Sequence, residues 1–201
     1  MAVKFKNLPA AEQQDYRNRM RHSAAHVLAE AVTKLLPEAQ LTIGPAIEDG
    51  FFYDFAVSDP FTPQDLKNIE LEMRKSINAN TEFIEREVDR EEALQLVQEN
   101  PYKVEILEGI AEAEQVTFCS HSNGEFEDLC RGGHVERTGD IKAYKLLSTA
   151  GAYWRGDEKN NMLQRIYGTA WESRDAQKDY LKRREEAEKR DHRKLGRALD
   201  L

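Results

Sequence analysis

Residues 41–55, LTIGPAIEDGFFYDF, decide the fold class of this 201-residue chain. The stretch is rich in β-branched and aromatic residues, and a Gly-Pro pair and an Asp-Gly pair interrupt it, so it predicts two short strands and a turn. Just before it, apolar residues recur at helical spacing from Ala25 to Leu36, and Pro37 ends the run. A long helix followed at once by strands indicates an α+β fold.

The rest of the chain alternates between helical and strand-like segments. Thr62-Pro63 predicts the start of a helix that reaches about Asn80, a capping-box pattern at 89–92 predicts a second, and Pro101 opens a third. Asn123-Gly124 predicts a two-residue hairpin turn. The predicted strands are FIEREV (83–88), VTFCSHS (116–122), EFEDLC (125–130), AYKLLSTAGAYW (143–154) and LQRIYGTAW (163–171). We expect a long N-terminal helix packed on a mostly antiparallel sheet, ending in a charged C-terminal helix.

The domain boundaries follow from the charge pattern. We predict a tail over residues 1–11, one domain over 12–172 and a charged linker helix over 173–201, where pairs such as Glu185 and Lys189 are spaced i,i+4. This helical pattern runs to the last residue without a closing glycine or proline. We therefore expect the chain to be part of a longer protein.

The composition restricts the class of partner and the compartment. A formal net charge of −8 disfavours tight, nonspecific adhesion to nucleic acid or to an anionic membrane. The sequence has no apolar run near 18 residues and no signal-peptide core, and its two cysteines are typical of a reduced, cytoplasmic protein. We expect a cytoplasmic protein without a disulfide, in which any contact with RNA is local.

Two short motifs carry the candidate chemistry. His22 and His26 are one helical turn apart, and Cys130 and His134 repeat that spacing around a glycine pair. The glycines permit a tight loop whose N–H groups converge on carboxyl or phosphate oxygens. Three histidines and a cysteine permit a tetrahedral zinc site, or a three-ligand site with a bound water, but do not require one. Asp128, two residues before Cys130, should point to the same side of the strand as the thiol.

Longer strings carry a resemblance to a known family. These strings are HSAAHVL (22–28), IGPAIEDGFFYDF (43–55), DLCRGGH (128–134), LLSTAGAYWRGDEKNNMLQRIYGTAW (146–171) and KRDHRKLG (189–196). Together they resemble the editing (N2) domain and following helix of bacterial-type threonyl-tRNA synthetases. The likeness covers roughly residues 12–201. The two short motifs alone are equally similar to alanyl-tRNA editing enzymes, for which a zinc ion would be implied. GFFYDF and QRIYGTAW favour the threonyl family.

The chain departs from this family pattern in two places. Only about twenty residues precede His22, so the ubiquitin-like domain usual in the family is expected to be absent if Met1 is the native start. The family loop is commonly CRGPH, whereas this chain has Gly133 in place of the proline, which makes the loop more flexible.

The resemblance implies a function and partners. A domain of this family hydrolyses the ester of mischarged Ser-tRNA(Thr) and restores free tRNA(Thr), so its partner is the tRNA 3′ end carrying serine. The full-length protein would ligate threonine to tRNA(Thr) using ATP, with its own zinc in an aminoacylation domain beyond residue 201. The resemblance also implies a homodimer for the full-length protein, a monomer for the fragment and no membrane partner.

The resemblance assigns roles to individual residues. His22 and His134 would handle water and contact substrate, His26 and Cys130 would complete the pocket, and Asp128 would bind the serine ammonium. The other implied site residues are Tyr53, Lys103, Gly132 and Gly133. Lys103 would protonate the leaving ribose oxygen or hold the terminal adenosine.

The resemblance implies ordered water rather than a metal at this site. If a metal is present, its ligands would be His22, His26, Cys130 and His134. We expect Tyr153, Trp154 and Tyr167 to be core residues, and Arg155 and Arg165 to contact phosphate. A noncatalytic, zinc-stabilised tRNA-binding module and a helix-rich interaction adaptor remain the alternative functions.

Overall fold

The computed structural model of the protein describes residues 5–198, and side chains up to residue 190. The first four residues of the predicted tail and the last three of the predicted linker helix lie outside the described residues. The helices are α1 (Ala10–Leu35), α2 (Pro63–Ala79), α3 (Arg90–Val97), α4 (Pro101–Glu108) and α5 (Arg174–Ala198). No helix within residues 5–198 is both long and apolar enough to cross a bilayer.

The strands form two antiparallel sheets. They are β1 (Gln40–Leu41), β2 (Ala46–Ile47), β3 (Gly50–Ala56), β4 (Ile84–Val88), β5 (Val116–His121), β6 (Phe126–Leu129), β7 (Ala143–Tyr153) and β8 (Met162–Trp171). The larger sheet has the order β1-β3-β8-β7, with β2 also paired to β3, and the smaller has the order β4-β5-β6. The predicted α+β class and the antiparallel pairing are confirmed, but the single predicted sheet is two.

The long first helix makes the core with the larger sheet. Leu28 and its apolar neighbours on α1 are fully buried, as are Phe51 and Phe55 of β3 and Ile166 of β8. Because burial of a large apolar side chain contributes about 1.5–3 kcal/mol, this layer fixes α1 against β3 and β8. Any side chain that α1 points toward the smaller sheet is therefore held in place by the core.

The helix starts predicted from capping residues are confirmed. Thr62 and Asp65 form a reciprocal capping box at α2, and the Asp89 side chain accepts the Glu92 N–H at α3. Asn80 ends α2 in the left-handed conformation, with φ of 51°. Leu71 of the same helix is 54% exposed and lies outside the core.

Two predictions of strand detail are wrong. Residues 41–55 contribute to three strands, because β1 and β2 pair with successive parts of β3. The hairpin connection near Asn123 has four residues, since the register pairs His121 with Phe126. Ser122, Asn123 and Gly124 all have positive φ, and three consecutive left-handed residues make a longer connection than a two-residue turn.

Candidate functional site

The two sequence motifs meet at one place in the fold. The rings of His22 and His26 lie 5.1 Å apart on α1, and the segment after β6 brings Cys130 and His134 against them. Cys130 Sγ is 3.4 Å from His22 Nε2 and 3.2 Å from His134 Nε2. His22 is half-buried and the other three are buried. The structure therefore brings the four predicted residues into one cluster.

A second buried cluster joins the other predicted polar residues. The Tyr53 hydroxyl donates to Asp128 Oδ2 at 2.6 Å, and Lys103 Nζ lies 2.7 Å from Asp128 Oδ1 and 3.3 Å from the Tyr53 oxygen. Tyr53 comes from β3, Lys103 from the first turn of α4 and Asp128 from β6. Gly44 makes this possible, because a Cβ there would come within 2.1 Å of the Tyr53 ring. The three residues form a buried, charge-balanced triad.

A cavity of about 400 Å³ lies between the two clusters. Three of its lining residues, His22, His26 and Cys130, belong to the first cluster. The remaining lining residues are Thr42, Ile43, Gly44, Pro45, Tyr53, Lys103, Ile106, Asp128, Leu129 and Arg131. His134 contacts Cys130 and His22 but does not itself line the cavity. Neutral imidazoles and a thiol thus face a carboxylate and an ammonium across one small space.

Burial sets the protonation of the first cluster. It lowers the pKa of His22, lowers that of His26 far below the ordinary value, and, with the neighbouring His22, lowers that of His134 to about 3. Burial raises the pKa of the Cys130 thiol to about 12. At neutral pH the cluster consists of uncharged imidazoles, each with one unprotonated nitrogen that can accept a hydrogen bond, and a thiol that is a poor nucleophile.

The four residues of the first cluster fit a zinc ion in type and spacing. Their potential ligand atoms, three imidazole nitrogens and one sulfur, all lie within 4.8 Å of one another. Zinc ligands stand ~2.0–2.3 Å from the ion in a tetrahedron, so modest side-chain movements would close such a site. Binding would require Cys130 to lose its proton to a base. A metal and a metal-free site are therefore both compatible with these residues.

The glycine loop does not provide the converging N–H groups that the sequence predicts. The Gly132 N–H donates to Cys130 Sγ at 3.3 Å, and the Gly133 N–H donates to Glu85 Oε1 at 2.9 Å. Gly133 is exposed and has φ of +86°. Proline, whose φ is fixed near −65°, cannot adopt this conformation, so the loop follows a path that CRGPH cannot. The loop holds the thiol instead of presenting donors to the cavity.

A larger cavity of about 660 Å³ adjoins the first. The two share Ile43, Ile106, Leu129, Cys130 and Arg131 as lining residues. Trp154 and Arg155 line the larger cavity but not the smaller one. The cavity combines apolar walls with two arginines.

The prediction that the three aromatic residues in and next to β7 and β8 are core residues is partly wrong. Trp154 is buried and donates to Glu105, but Tyr153 is 42% exposed and Tyr167 is half-buried. The Arg165 guanidinium makes a bidentate pair with Asp54 at 2.6 and 2.8 Å, and Arg155 pairs with Glu105. Contact of either arginine with phosphate stays a prediction.

Several residues at the site were not predicted. Ser23 contacts His134, Phe83 stacks on the His134 ring, and Glu85 holds the glycine loop. Residues 42–45 line the cavity, where the Gly-Pro pair had indicated only a turn. Ser23 had a usable signal, because a small polar residue inside an otherwise apolar helical face needs a buried partner.

Comparison with known proteins finds sequences similar to this chain. Residues 116–167 match the family described as threonyl and alanyl tRNA synthetase second additional domain. The chain is 53% identical over 192 residues to a threonine–tRNA ligase of Clostridium tetani, which is 94% of this chain and 30% of that protein. It is 54% identical over 192 residues to that of Legionella pneumophila, with the same 94% and 30% shares. For Acetivibrio thermocellus the identity is 50% over 197 residues, with shares of 97% and 31%.

The chain thus spans about 30% of the length of the curated relatives it matches. The matched family region contains β5, β6, β7 and most of β8, including Asp128, Cys130 and His134. The resemblance predicted from the sequence is confirmed.

Proposed function

We propose that this chain, an editing-type domain related to threonyl-tRNA synthetases, hydrolyses the ester that joins serine to the 3′-terminal ribose of tRNA(Thr). The observation that carries the proposal is the 400 Å³ cavity, with neutral imidazoles on one side and the Asp128 carboxylate on the other. The imidazoles supply a proton acceptor for water, and the carboxylate supplies a partner for the substrate ammonium. The products are serine and free tRNA(Thr).

The need for such a site follows from the size of a methyl group. A synthetic site that binds threonine also accepts serine, because one missing methyl gives only about 1–3 kcal/mol, or 10–200-fold, of discrimination. A second site that admits serine and excludes the larger threonine multiplies this discrimination by its own. A small, rigid and polar cavity between buried clusters suits this purpose.

The proposed reaction is attack of water on the ester carbonyl through a tetrahedral oxyanion. His22 is the histidine that both lines the cavity and keeps partial exposure, so we assign it the orientation and deprotonation of the water. Cys130 is a neutral thiol and forms a wall of the pocket rather than attacking the ester. Lys103, whose ammonium already lies in the cavity wall, donates a proton to the leaving ribose oxygen. His134 does not line the cavity, so its effect on the reaction passes through its contacts with His22 and Cys130.

Binding of the serine ammonium uses the remaining capacity of Asp128. A carboxylate offers about four acceptor positions, and here Tyr53, Lys103 and the Leu129 N–H occupy three. The substrate ammonium takes the fourth, or displaces Lys103 toward the leaving ribose oxygen. Either arrangement makes Asp128 a substrate contact.

The adjoining 660 Å³ cavity has the size and chemistry for the rest of the tRNA end. Its apolar residues suit the faces of the terminal adenine, and Arg131 and Arg155 are exposed at its edge, where a phosphate would lie. The full-length protein would ligate threonine to tRNA(Thr) with ATP, as a cytoplasmic homodimer, whereas the isolated domain would be a monomer.

The first prediction is that the isolated chain hydrolyses Ser-tRNA(Thr) at least tenfold faster than Thr-tRNA(Thr), the minimum that exclusion of one methyl should give. The measurement is deacylation of both esters side by side at equal enzyme concentration. Equal rates would contradict the proposed sieve.

The second prediction is that activity survives metal removal. An aminoacyl ester is an activated acyl group, so oriented water and a nearby base suffice for hydrolysis. Turnover of seryl-tRNA is measured after dialysis against a chelator, with elemental analysis of the same sample. We expect the rate to stay within about twofold with less than a tenth of an equivalent of metal. An inactive protein that added zinc restores would show that the His/Cys cluster is a zinc site.

A noncatalytic tRNA-binding module held together by zinc is the second candidate function. The observation that favours it is the tight grouping of the four potential metal ligands. In that case chelation would lower the stability of the fold, and no variant would change a hydrolysis rate.

A further inference from the structure

Ser23 is a fully buried hydroxyl on α1, between the two histidines of that helix. Its Oγ is 3.3 Å from His134 Nδ1. The backbone N–H of Val135 donates to the same oxygen at 3.1 Å. One hydroxyl therefore joins α1 to two consecutive residues of the segment that follows β6.

The donors and acceptors around the Ser23 hydroxyl determine the direction of its hydrogen bond with His134. A serine hydroxyl has one proton to donate and two lone pairs, and the Val135 N–H uses one lone pair. Within residues 5–190, His134 Nδ1 is the acceptor within hydrogen-bond distance of this oxygen. A buried hydroxyl proton without an acceptor is costly, so the hydroxyl donates to Nδ1. The one proton of a neutral His134 ring is then on Nε2.

The surroundings of His134 keep its ring neutral and its plane fixed. The residue is only 9% exposed, and burial favours the uncharged form of an imidazole. The ring stacks on His22 at 4.4 Å between centroids and on Phe83 at 5.1 Å, with interplanar angles of 26° and 11°. The ring plane is therefore set by packing, and the position of the proton is left to the hydrogen bonds.

We infer that Ser23 is a positioning residue that fixes the tautomer of His134, so that the Nε2 proton is directed at Cys130. Cys130 Sγ accepts two hydrogen bonds. The donors are the Nε2–H of His134, at 3.2 Å from nitrogen to sulfur, and the backbone N–H of Gly132, at 3.3 Å. His22 Nε2 lies 3.4 Å from the same sulfur. The hydroxyl of Ser23 thus fixes the hydrogen-bond arrangement from the helix core to the sulfur that contacts His22. This last step rests on the proposed function, in which His22 contacts the water.

The tautomer is measured by nitrogen NMR of histidine-labelled, chelator-dialysed protein at neutral pH. We expect the wild-type His134 spectrum to show a protonated Nε2 and an unprotonated Nδ1. Ser23→Ala removes the donor to Nδ1 and should convert His134 to a mixture of both tautomers. The control is Ala24→Gly, which weakens the same buried helix turn without removing a hydrogen bond. It should keep the wild-type tautomer.

The same variants are assayed with seryl-tRNA. We expect Ser23→Ala to lower kcat about tenfold, the effect of one hydrogen bond, with little change in KM, and Ala24→Gly to stay within about twofold of wild type. A wild-type His134 protonated on Nδ1 would overturn the inference, and it is the tautomer that a metal ligand bound through Nε2 requires. An unchanged tautomer in Ser23→Ala would overturn it as well. The NMR measurement needs no substrate, so it stands even if the chain fails to hydrolyse seryl-tRNA.

Discussion

Replacing His22 with alanine is expected to lower kcat for seryl-tRNA hydrolysis by about 10²–10⁴-fold, the usual contribution of a general base. Burial lowers the pKa of His22, so the ring is uncharged at neutral pH, and it lines the cavity where the water would lie. Its side chain is only half-buried, so the fold should survive the change. KM and the binding of uncharged tRNA should change little, because the loss falls on the transition state.

The control for this variant is Asn18→Ala, one helical turn earlier on the same helix and exposed. It should keep the wild-type kcat. Single-turnover deacylation, urea denaturation and tRNA binding are measured for both variants. Hydrolysis by His22→Ala at the wild-type rate would remove His22 from the reaction, and equal loss in both variants would indicate damage to α1 instead of lost chemistry.

Local features explain why much of the fold could be predicted. Thr62 and Asp89 cap their helices through atoms only three residues away, so the signal lies within a single turn of sequence. His22 and His26 share a helix face for the same reason. The division of the strands into two sheets depends on which strands pair across the chain, such as β3 with β8, and no local pattern encodes that choice.

The chemical state of the site was harder to predict because it depends on distant partners. The sequence places Asp128 near Cys130 but does not indicate that Lys103, 25 residues away along the chain, already pairs with its carboxylate. The sequence likewise predicted the same direct contact with water and substrate for His134 as for His22. In the fold His134 stands behind the thiol, because the loop turns through two glycines with positive φ and is held by Glu85.

The buried pair of Lys103 and Asp128 leads to the largest expected effect on stability. Their side chains are 6% and 7% exposed and lie 2.7 Å apart. Asparagine is nearly isosteric with aspartate, but Asp128→Asn leaves the Lys103 ammonium buried without a counterion. Because an uncompensated buried charge is strongly unfavourable, we expect Asp128→Asn to lower the free energy of unfolding by about 3–5 kcal/mol, and Lys103→Met to do the same by leaving the carboxylate unpaired.

The double variant Lys103→Met/Asp128→Asn separates charge pairing from packing. Since it buries neither charge, it should cost several kcal/mol less than the sum of the two single changes. The free energies are measured by urea denaturation at neutral pH. Glu127→Gln is the matched control, because Glu127 precedes Asp128 on β6 but pairs with Arg86 at the surface. The two side chains are 26% and 40% exposed, so screening by water makes this pair weaker than the buried one. Additive effects of the two single changes would contradict a coupled buried pair.

The same cycle separates stability from substrate binding. Activity is compared at temperatures where all the variants are folded. In Asp128→Asn, kcat/KM for seryl-tRNA should fall by the equivalent of about 1.5–3 kcal/mol, the range for a hydrogen bond to a charged group. The double variant, which also lacks the proposed proton donor Lys103, should lose at least as much. The double variant regains stability without regaining this activity, because the serine ammonium still has no carboxylate. A double variant with the wild-type kcat/KM would show that the ammonium binds elsewhere and that the Tyr53–Lys103–Asp128 triad is a structural feature of the cavity wall.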